Sequence, residues 1–457
     1  MITTSQFQLN GKSVSLANAD PEESLLRWLK RARLTGTKEG CADGDCGACT
    51  VALLVRDAQG LGQFQAVNSC LLPVGLIAGR EVFTVEALAD GATLHPVQQA
   101  MLDCAGSQCG YCTPGFVMSL FTGYYSAEPD AHGIEGNLCR CTGYLPIRAA
   151  AASLEQDVRA ADRFTNLLAL ACPAPPASEL GNFFAPTSMA EAIALKVAQP
   201  ESAWICGATD LGVQLSHGLN VAPSFIALDR IAELQTLDCT ADAVRIGAAV
   251  PLSRVERELT GIFPMLDDML PWFAARQVRN RATLGGNLGS ASPIGDLLPI
   301  LLSLDAVVHC IGPYGSRDVP ISAFFLGYRK TALHEHELIA AVTLPRRAGM
   351  ISGSYKVAKR QTDDISIVAA SFALAFDEQQ RVSFARLSYG GVAATPIRAQ
   401  RTEQLLLGQR LNDETLQCAQ AMLRAEFTPL SDHRAGADYR RALAANLFSK
   451  FVAERCS

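Results

Sequence analysis

Apolar and polar residues alternate at the start of the chain. F-Q-L-N-G-K-S-V-S-L, from Phe7 to Leu16, swings about Asn10-Gly11, the pair that best populates the positive φ angles of a two-residue hairpin turn. From Pro21 to Leu34 the period changes. Leu25, Leu26 and Leu29 share one helical face, and Asp20 and Pro21 are suited to cap and open that helix. A glycine-rich loop and the strand-like T-V-A-L-L-V follow, so the opening of the chain predicts a small α+β domain of about 80 residues. From Val85 the pattern is helical. Pro96 opens one helix through Val97, Ala100 and Met101; Thr113-Pro114 opens a second carrying Phe116, Val117, Leu120 and Phe121; an alanine-rich third begins near Pro146. Phe164 to Asn182 contains C-P-A-P-P-A-S and no clear period, which reads as a linker crossing the surface. Mixed helices and strands run from there to about Pro345. A last unit places alternating strands near Ser366–Phe376 and Val382–Tyr389 ahead of a helix-rich tail. The expected division is 1–82, 83–163, a linker at 164–181, 182–346 and 347–457.

A chain of 457 residues is too long for one core. Its 49 % hydrophobic and 18 % charged composition describes packed globular domains rather than long disordered tails. The net charge of −6 comes without the basic stripe that nucleic-acid binding requires, so no nucleic-acid partner is expected. The longest apolar run, Leu297 to Val308, is interrupted by Ser303 and Asp305, and M-I-T-T-S-Q-F-Q lacks a basic region ahead of an apolar stretch. The expectation is a cytoplasmic protein with no membrane contact.

Eight of the 15 cysteines change the picture. They fall in two compact sets: Cys41, Cys46, Cys49 and Cys70, then Cys109, Cys112, Cys139 and Cys141. In a reducing compartment, clustered cysteines hold metal more often than they form disulfides. The first set, G-C-A-D-G-D-C-G-A-C-T with its fourth sulfur at Cys70, has the plant-type C-x4-C-x2-C…C spacing of a 2Fe-2S cluster. Gly40, Gly44 and Gly47 interleave with the ligands, as a loop must if it is to wrap a cluster and aim N–H groups at sulfur. A four-cysteine zinc site would usually come as two knuckles instead. The second set, Q-C-G-Y-C-T-P-G and N-L-C-R-C-T-G-Y, could by spacing alone grip zinc between two close pairs. Beside the first set, and with helices opening directly after each pair, a second 2Fe-2S cluster is the favoured reading, because helix N-termini stabilise anionic thiolates. The remaining cysteines are scattered.

Two polar, glycine-bearing segments stand out further along. W-I-C-G-A-T-D-L-G, Trp204 to Gly212, runs from an apolar strand into a glycine turn. R-A-T-L-G-G-N-L-G-S-A-S-P-I-G-D, Arg281 to Asp296, combines Gly285-Gly286 with the hydroxyls of Thr283, Ser290 and Ser292, the Asn287 amide and the Asp296 carboxylate. A nucleotide cofactor and a pair of ordinary tight turns both remain open on this evidence. Neither segment has the dinucleotide fingerprint or the phosphate-loop pattern. Lys356 and Asp363-Asp364 read by composition as a solvated edge, and His132, His309, His334 and His336 show no partner spacing that marks a metal site or triad.

The first domain looks like a ferredoxin, and nearly the whole chain resembles the small, iron–sulfur/FAD subunit of bacterial xanthine dehydrogenases, in the molybdenum hydroxylase family. The motifs that carry the resemblance are G-C-A-D-G-D-C-G-A-C-T, N-S-C-L, Q-C-G-Y-C-T-P-G, N-L-C-R-C-T-G-Y, G-A-T-D-L-G, T-L-G-G-N and S-P-I-G-D, in the family's order. The resemblance implies an α+β multidomain fold: a β-grasp 2Fe-2S ferredoxin domain, a helical 2Fe-2S domain, an α+β FAD-binding domain of the vanillyl-alcohol-oxidase type and a C-terminal α+β flavoprotein domain. It implies FAD contacts at Trp204, Ile205, Cys206, Gly207, Ala208, Thr209, Asp210, Leu211, Phe273, Thr283, Gly286, Asn287, Asp296, Leu338 and Lys356, which takes Lys356 out of its solvated-edge reading. It also implies a molybdopterin-binding large subunit as partner, in an α2β2 assembly, because too little chain follows Pro345 to build that domain. Xanthine or hypoxanthine would be oxidised there. Electrons would pass through the cluster at Cys109, Cys112, Cys139 and Cys141, then the Cys41 cluster, to FAD and finally NAD+. No catalytic residue is assigned on this chain. Rival readings are the reductase part of an aldehyde, carbon monoxide or N-heterocycle hydroxylase, a stand-alone NADH-dependent electron-transfer flavoprotein, and a non-catalytic two-zinc module.

Overall fold

The computed structural model describes residues 6–57, 59–126, 133–155, 161–360 and 363–456; His132 and the first five residues of the N-terminal reading lie outside them. The chain forms two compact units. One holds residues 1–231 with 275–282, the other 232–274 with 283–457, so the stretch 182–346 is shared between them.

In the first unit, the predicted hairpin joins Gln6–Leu9 to Lys12–Ser15 through Asn10 at φ 54° and Gly11 at φ 76°. The five-stranded sheet runs in the order Lys12–Ser15, Gln6–Leu9, Glu81–Phe83, Thr50–Arg56, Gly62–Asn68; the first and last of these strands to be made, Gln6–Leu9 and Glu81–Phe83, pair in parallel. One helix, Leu25–Arg31, packs Leu25, Leu26 and Leu29 inward. It starts later than the sequence suggests. Asp20 instead accepts the Glu22 N–H at 3.0 Å, and the backbone of Pro21 and Glu23 bonds to Gly75 and Val74. That extended pairing uses up the would-be first turn, and Ser24 becomes the cap through the Arg27 N–H.

Three helices follow where the pattern placed them: Pro96–Asp103, Thr113–Tyr124 and Leu145–Glu155. The apolar face of the middle one, with Phe116, Val117, Leu120 and Phe121, is buried. The expected linker is built into the unit at both ends. Arg163–Leu168 is a helix whose cap, Asp162, accepts the Phe164 and Thr165 N–H groups, and Phe164 sinks into an aromatic cluster with Phe64, Phe83, Phe121 and Tyr125. Ser178–Leu180 then joins a four-stranded sheet with Phe183–Ala185, Phe225–Ala227 and Ala203–Ile205.

The second unit contains a five-stranded antiparallel sheet ordered Leu237–Cys239, Ala243–Gly247, Leu338–Pro345, Val307–Gly312, Gly315–Pro320. A second antiparallel sheet holds Ile351–Val357, Val368–Phe376, Val382–Gly390 and Ile397–Arg398, with the helices Gln400–Leu406, Asp413–Glu426 and Ala437–Arg455 completing its core. Part of the apolar run noted in the sequence becomes the wholly buried helix Leu298–Ser303. Among the described residues no helix is long and apolar enough to cross a membrane.

Candidate electron-transfer site

All eight cysteines of the two sets lie in the first unit, and all are free thiols. Their sulfurs gather two by two. Cys49 and Cys70, both 1 % exposed, stand 3.3 Å apart, and Cys41 and Cys46 hydrogen-bond to each other on the loop above them. In the second set the pairing crosses between segments: Cys109 meets Cys141, and Cys112 meets Cys139. Each pair matches the two thiolates that one iron of a 2Fe-2S cluster takes from the protein.

The loops explain the glycines. A side chain at Gly40 would lie 2.5 Å from the Cys46 sulfur, and Gly47, at φ +65°, would meet the Gly136 carbonyl at 2.1 Å. Backbone amides point at sulfur: Asp43 and Cys46 N–H groups reach Cys41 at 3.4 and 3.3 Å, and Cys41 N–H reaches Cys46 at 3.3 Å. These donors favour thiolate. The bond from Cys46 draws the Cys41 thiol down to about 5 while pushing Cys46 up, and Cys70 likewise lowers Cys49 as it is itself raised. In the second set, the Tyr111 N–H and then Cys141 lower Cys109, whereas burial and then Cys139 push Cys112 up to about 12. A bound cation favours the thiolate form that ligation requires. Cys112 is the N-cap of helix Thr113–Tyr124, as the sequence suggested. Thr142, which the sequence reading passed over although it directly follows Cys141, puts its hydroxyl 3.1 Å and its N–H 3.4 Å from the Cys139 sulfur.

The two loops touch. Leu138 N–H donates to the Cys46 carbonyl at 3.0 Å, and the Asn137 amide donates to the Gly47 carbonyl at 2.9 Å. On its other side, the first cysteine set meets the helix Leu211–Ser216, which follows the turn Cys206–Asp210. Ser216 donates to the Ala42 carbonyl at 2.9 Å, and a side chain at Gly212 would strike the Leu71 carbonyl, next to Cys70, at 2.1 Å. A narrow cleft lined by Val67, Asn68, Leu71, Gly207, Thr209 and Arg281 lies between.

The residues that the resemblance names as FAD contacts fall in both units. In the first, Trp204 and Ile205 end the strand Ala203–Ile205, Cys206 to Asp210 form the turn with Ala208 at φ 62°, and Leu211 starts a helix. A Cβ on Gly207 would sit 1.9 Å from the Arg281 carbonyl, so only glycine fits. Arg281 also donates to the Cys206 carbonyl at 3.3 Å and to Asp229 at 2.9 Å, and Arg80 reaches the same carboxylate at 2.7 Å. Burial and then Arg80 push the neighbouring Arg230 down to about 10. Three guanidiniums against one carboxylate leave buried positive charge beside this turn, which suits an anionic pyrophosphate. None of these arginines was singled out in the sequence, where isolated arginines carry no signal.

In the second unit, Thr283 caps helix Leu284–Ser290 by accepting the Gly286 N–H at 3.0 Å, so its oxygen serves the backbone first. The buried Asn287 Oδ1 has no hydrogen-bond partner among the described residues, an acceptor suited to a ligand donor. Asp296 and Lys356 prove to be each other's partners at 2.8 Å; Lys356 also donates to the Trp272 carbonyl at 2.9 Å, and Ser366 donates to the other Asp296 oxygen at 2.5 Å. The solvated-edge reading of Lys356 is thereby corrected: its side chain is 6 % exposed. Phe273 follows the short helix Leu270–Trp272, and Leu338 is buried at the start of the strand Leu338–Pro345. Taken by itself, each unit carries features suited to FAD: close-approach glycines and cationic charge in the first, an orphaned amide oxygen in the second.

Four family profiles match the chain in succession. Residues 7–75 match a 2Fe-2S iron-sulfur cluster binding domain, 84–152 a 2Fe-2S binding domain, 178–347 the FAD binding domain in molybdopterin dehydrogenase, and 353–455 the CO dehydrogenase flavoprotein C-terminal domain. Xanthine dehydrogenase of Drosophila subobscura is 33 % identical over 97 % of this chain and 38 % of its own length, and xanthine dehydrogenase/oxidase of Gallus gallus 32 % over 97 % and 39 %. The chain thus spans about two fifths of the length of these curated relatives. Solved structures of carbon monoxide dehydrogenase from Hydrogenophaga pseudoflava (27 % identity, TM-score 0.56) and quinoline 2-oxidoreductase from Pseudomonas putida 86 (26 %, 0.56) align with 59 % and 60 % of this chain, and with 94 % and 96 % of theirs. With two cluster domains, an FAD domain and a flavoprotein C-terminal domain in this order, the chain belongs to the molybdenum hydroxylase family, as its iron–sulfur/FAD part.

Proposed function

We propose that this chain is the electron-transfer subunit of an NAD-dependent xanthine dehydrogenase, serving a molybdopterin-binding partner chain that oxidises xanthine or hypoxanthine, in an α2β2 assembly in the cytoplasm. The observation that carries the reading is the contact order inside one unit. The loop of Cys139 touches the loop of Cys46; that loop is bonded at Ala42 by Ser216, the end of the helix that follows the turn Cys206–Asp210, and Gly212 of the same helix packs on Leu71, next to Cys70. Bound there, two 2Fe-2S clusters would supply one-electron carriers and FAD a two-electron centre able to reduce NAD+. The chain's own residues hold these groups in sequence. Cys41, Cys46, Cys49 and Cys70 grip one cluster and Cys109, Cys112, Cys139 and Cys141 the other, while backbone amides and Thr142 stabilise the sulfurs. In the first unit the turn Cys206–Asp210, and in the second Thr283–Asn287 and the pair Asp296–Lys356, are each suited to FAD. Full-length relatives named xanthine dehydrogenase, similar across 97 % of this chain, favour purine oxidation.

The test is Cys112→Ser in the complex. Xanthine-driven NADH formation should be lost while NADH oxidation by an artificial dye survives; loss of both in a folded, FAD-loaded variant would contradict the order of carriers. Because a carbon monoxide dehydrogenase and a quinoline oxidoreductase share this fold, a second reading is the reductase part of another molybdenum hydroxylase. Turnover of an aldehyde or N-heterocycle but not xanthine by the purified complex would establish it.

A further inference from the structure

The short stretch 275–282 belongs to the cluster-bearing unit although the chain on both sides of it belongs to the other. Its helix, Arg276–Arg279, carries Gln277, which is 1 % exposed. The Gln277 amide nitrogen lies 3.1 Å from Ser119 Oγ, 3.2 Å from Asn137 Oδ1 and 3.4 Å from Thr50 Oγ1. Each of these partners is buried, and each lies next to a cluster-ligand segment or on the helix that one ligand caps. Thr50 follows Cys49 and donates to the Gly47 carbonyl at 2.6 Å. Ser119 sits on the helix that Cys112 caps and donates to Asn137 at 2.6 Å. Asn137 precedes Cys139 by two residues and donates to the same Gly47 carbonyl at 2.9 Å. The amide oxygen of Gln277 presses on Gly136, where any side chain would collide at 1.9 Å. The segment is anchored separately, by Asn280 donating to the Ala66 carbonyl at 2.9 Å and by Arg281 on Asp229.

We propose that Gln277 is a positioning residue for electron transfer between the two clusters: one buried amide, reaching in from the FAD-domain sequence, holds the Cys46–Cys49 loop and the Cys139 loop at a set separation. The inference rests on both cysteine sets binding 2Fe-2S clusters. Its physical basis is that one buried amide bonds to groups of both cysteine segments at once, so its loss takes a buried hydrogen bond from each and loosens the hold between the two loops. The sequence offered no hint of it.

The experiment uses the full chain with both clusters loaded and reduced. It reads the mutual magnetic splitting of the two paramagnets at low temperature, each cluster's own signal where the splitting is averaged out, and the rate of electron equilibration between them. Gln277→Leu keeps the volume and removes the donor. It should retain iron and both individual signals but lose or narrow the splitting and slow equilibration; Ser119→Ala should do the same to a smaller degree. Asn280→Ala, which loosens the segment without touching either loop, should leave the splitting at its wild-type value. Wild-type splitting and rate in a loaded Gln277→Leu chain would overturn the proposal, as would an Asn280→Ala effect of equal size. Loss of iron from both Gln277→Leu and Ser119→Ala would overturn it too, by making the network an element of folding. Zinc or absent iron in the wild-type chain would instead overturn the cluster reading on which it stands.

Discussion

The two cysteine sites have the same ligand count and opposite surroundings. At the first, Cys49 and Cys70 are sealed in the core beside Leu26 and Leu71, and the sulfurs on the loop are served by backbone amides. At the second, Cys109 and Cys141 are exposed, and near them, beside the charged and polar Arg140 and Gln108, large side chains lie uncovered: Tyr111, Leu138 and Leu145, the last 75 % exposed. A buried carrier touches only its own protein, so the first site reads as an internal relay. An exposed carrier with large uncovered hydrophobic side chains beside it reads as a port, because such surface costs free energy until something covers it. Position in the chain therefore says less about a cluster's role than what lies over its sulfurs.

The largest test of this contrast substitutes one ligand at each site. Cys49→Ser and Cys109→Ser should each lower iron from about four to about two per chain. They should part company in stability. Cys49→Ser puts an unligated hydroxyl into a site 1 % exposed and should cost on the order of 3 kcal/mol, read as a fall in the denaturant midpoint; Cys109→Ser, at the surface, should leave that midpoint nearly unchanged. Equal destabilisation by both would erase the distinction between core and port.

A smaller effect is expected from these uncovered side chains themselves. If the molybdopterin-binding partner covers Leu145, Leu145→Ser should weaken the complex by about tenfold, the equivalent of roughly 1.4 kcal/mol, with iron content and the free chain's stability preserved. Leu430→Ser, at a leucine 81 % exposed elsewhere, is the control and should have no effect. Affinity by titration of the separated chains decides the matter, and equal affinities for the two variants would remove the port from this face.

What could be read in the sequence was what depends on neighbours along the chain. Asn10-Gly11 sets its own positive φ angles, Pro96 and Pro114 open their helices, and the C-x4-C-x2-C loop brings its sulfurs together locally. The helix at Leu25 began late because Pro21 and Glu23 are held by Gly75 and Val74, some 50 residues away. For the same reason the sequence could not show that Cys109 pairs with Cys141 rather than Cys112, that Lys356 lies on Asp296, or that Gln277 reaches Asn137. These contacts depend on the close approach of segments whose residues carry no periodicity or motif announcing it. The segments proposed for FAD were legible only as glycine-bearing polar turns; the electrostatics beside the first of them, set by Arg80, Arg230 and Arg281 around Asp229, came from distant parts of the chain.

The finest distinction between the sites concerns which atoms donate to sulfur. At Cys41 and Cys46 the donors are main-chain N–H groups, which no side-chain substitution removes. At Cys139 a side chain takes part, the Thr142 hydroxyl at 3.1 Å. Reduction adds negative charge to a cluster, and a donor on a ligand sulfur stabilises the reduced form, raising the potential. Thr142→Val keeps the shape and deletes that donor. A hydrogen bond worth about 1 kcal/mol corresponds to roughly 40 mV for a one-electron couple, so the second cluster's potential should fall by tens of millivolts while the first cluster's stays put. A redox titration that follows each cluster's paramagnetic signal separates the two. A fall in both potentials would mean that the sites share an electrostatic environment despite their different cover; no fall in either would mean that the backbone, here as in the first loop, supplies all the stabilisation the sulfur receives.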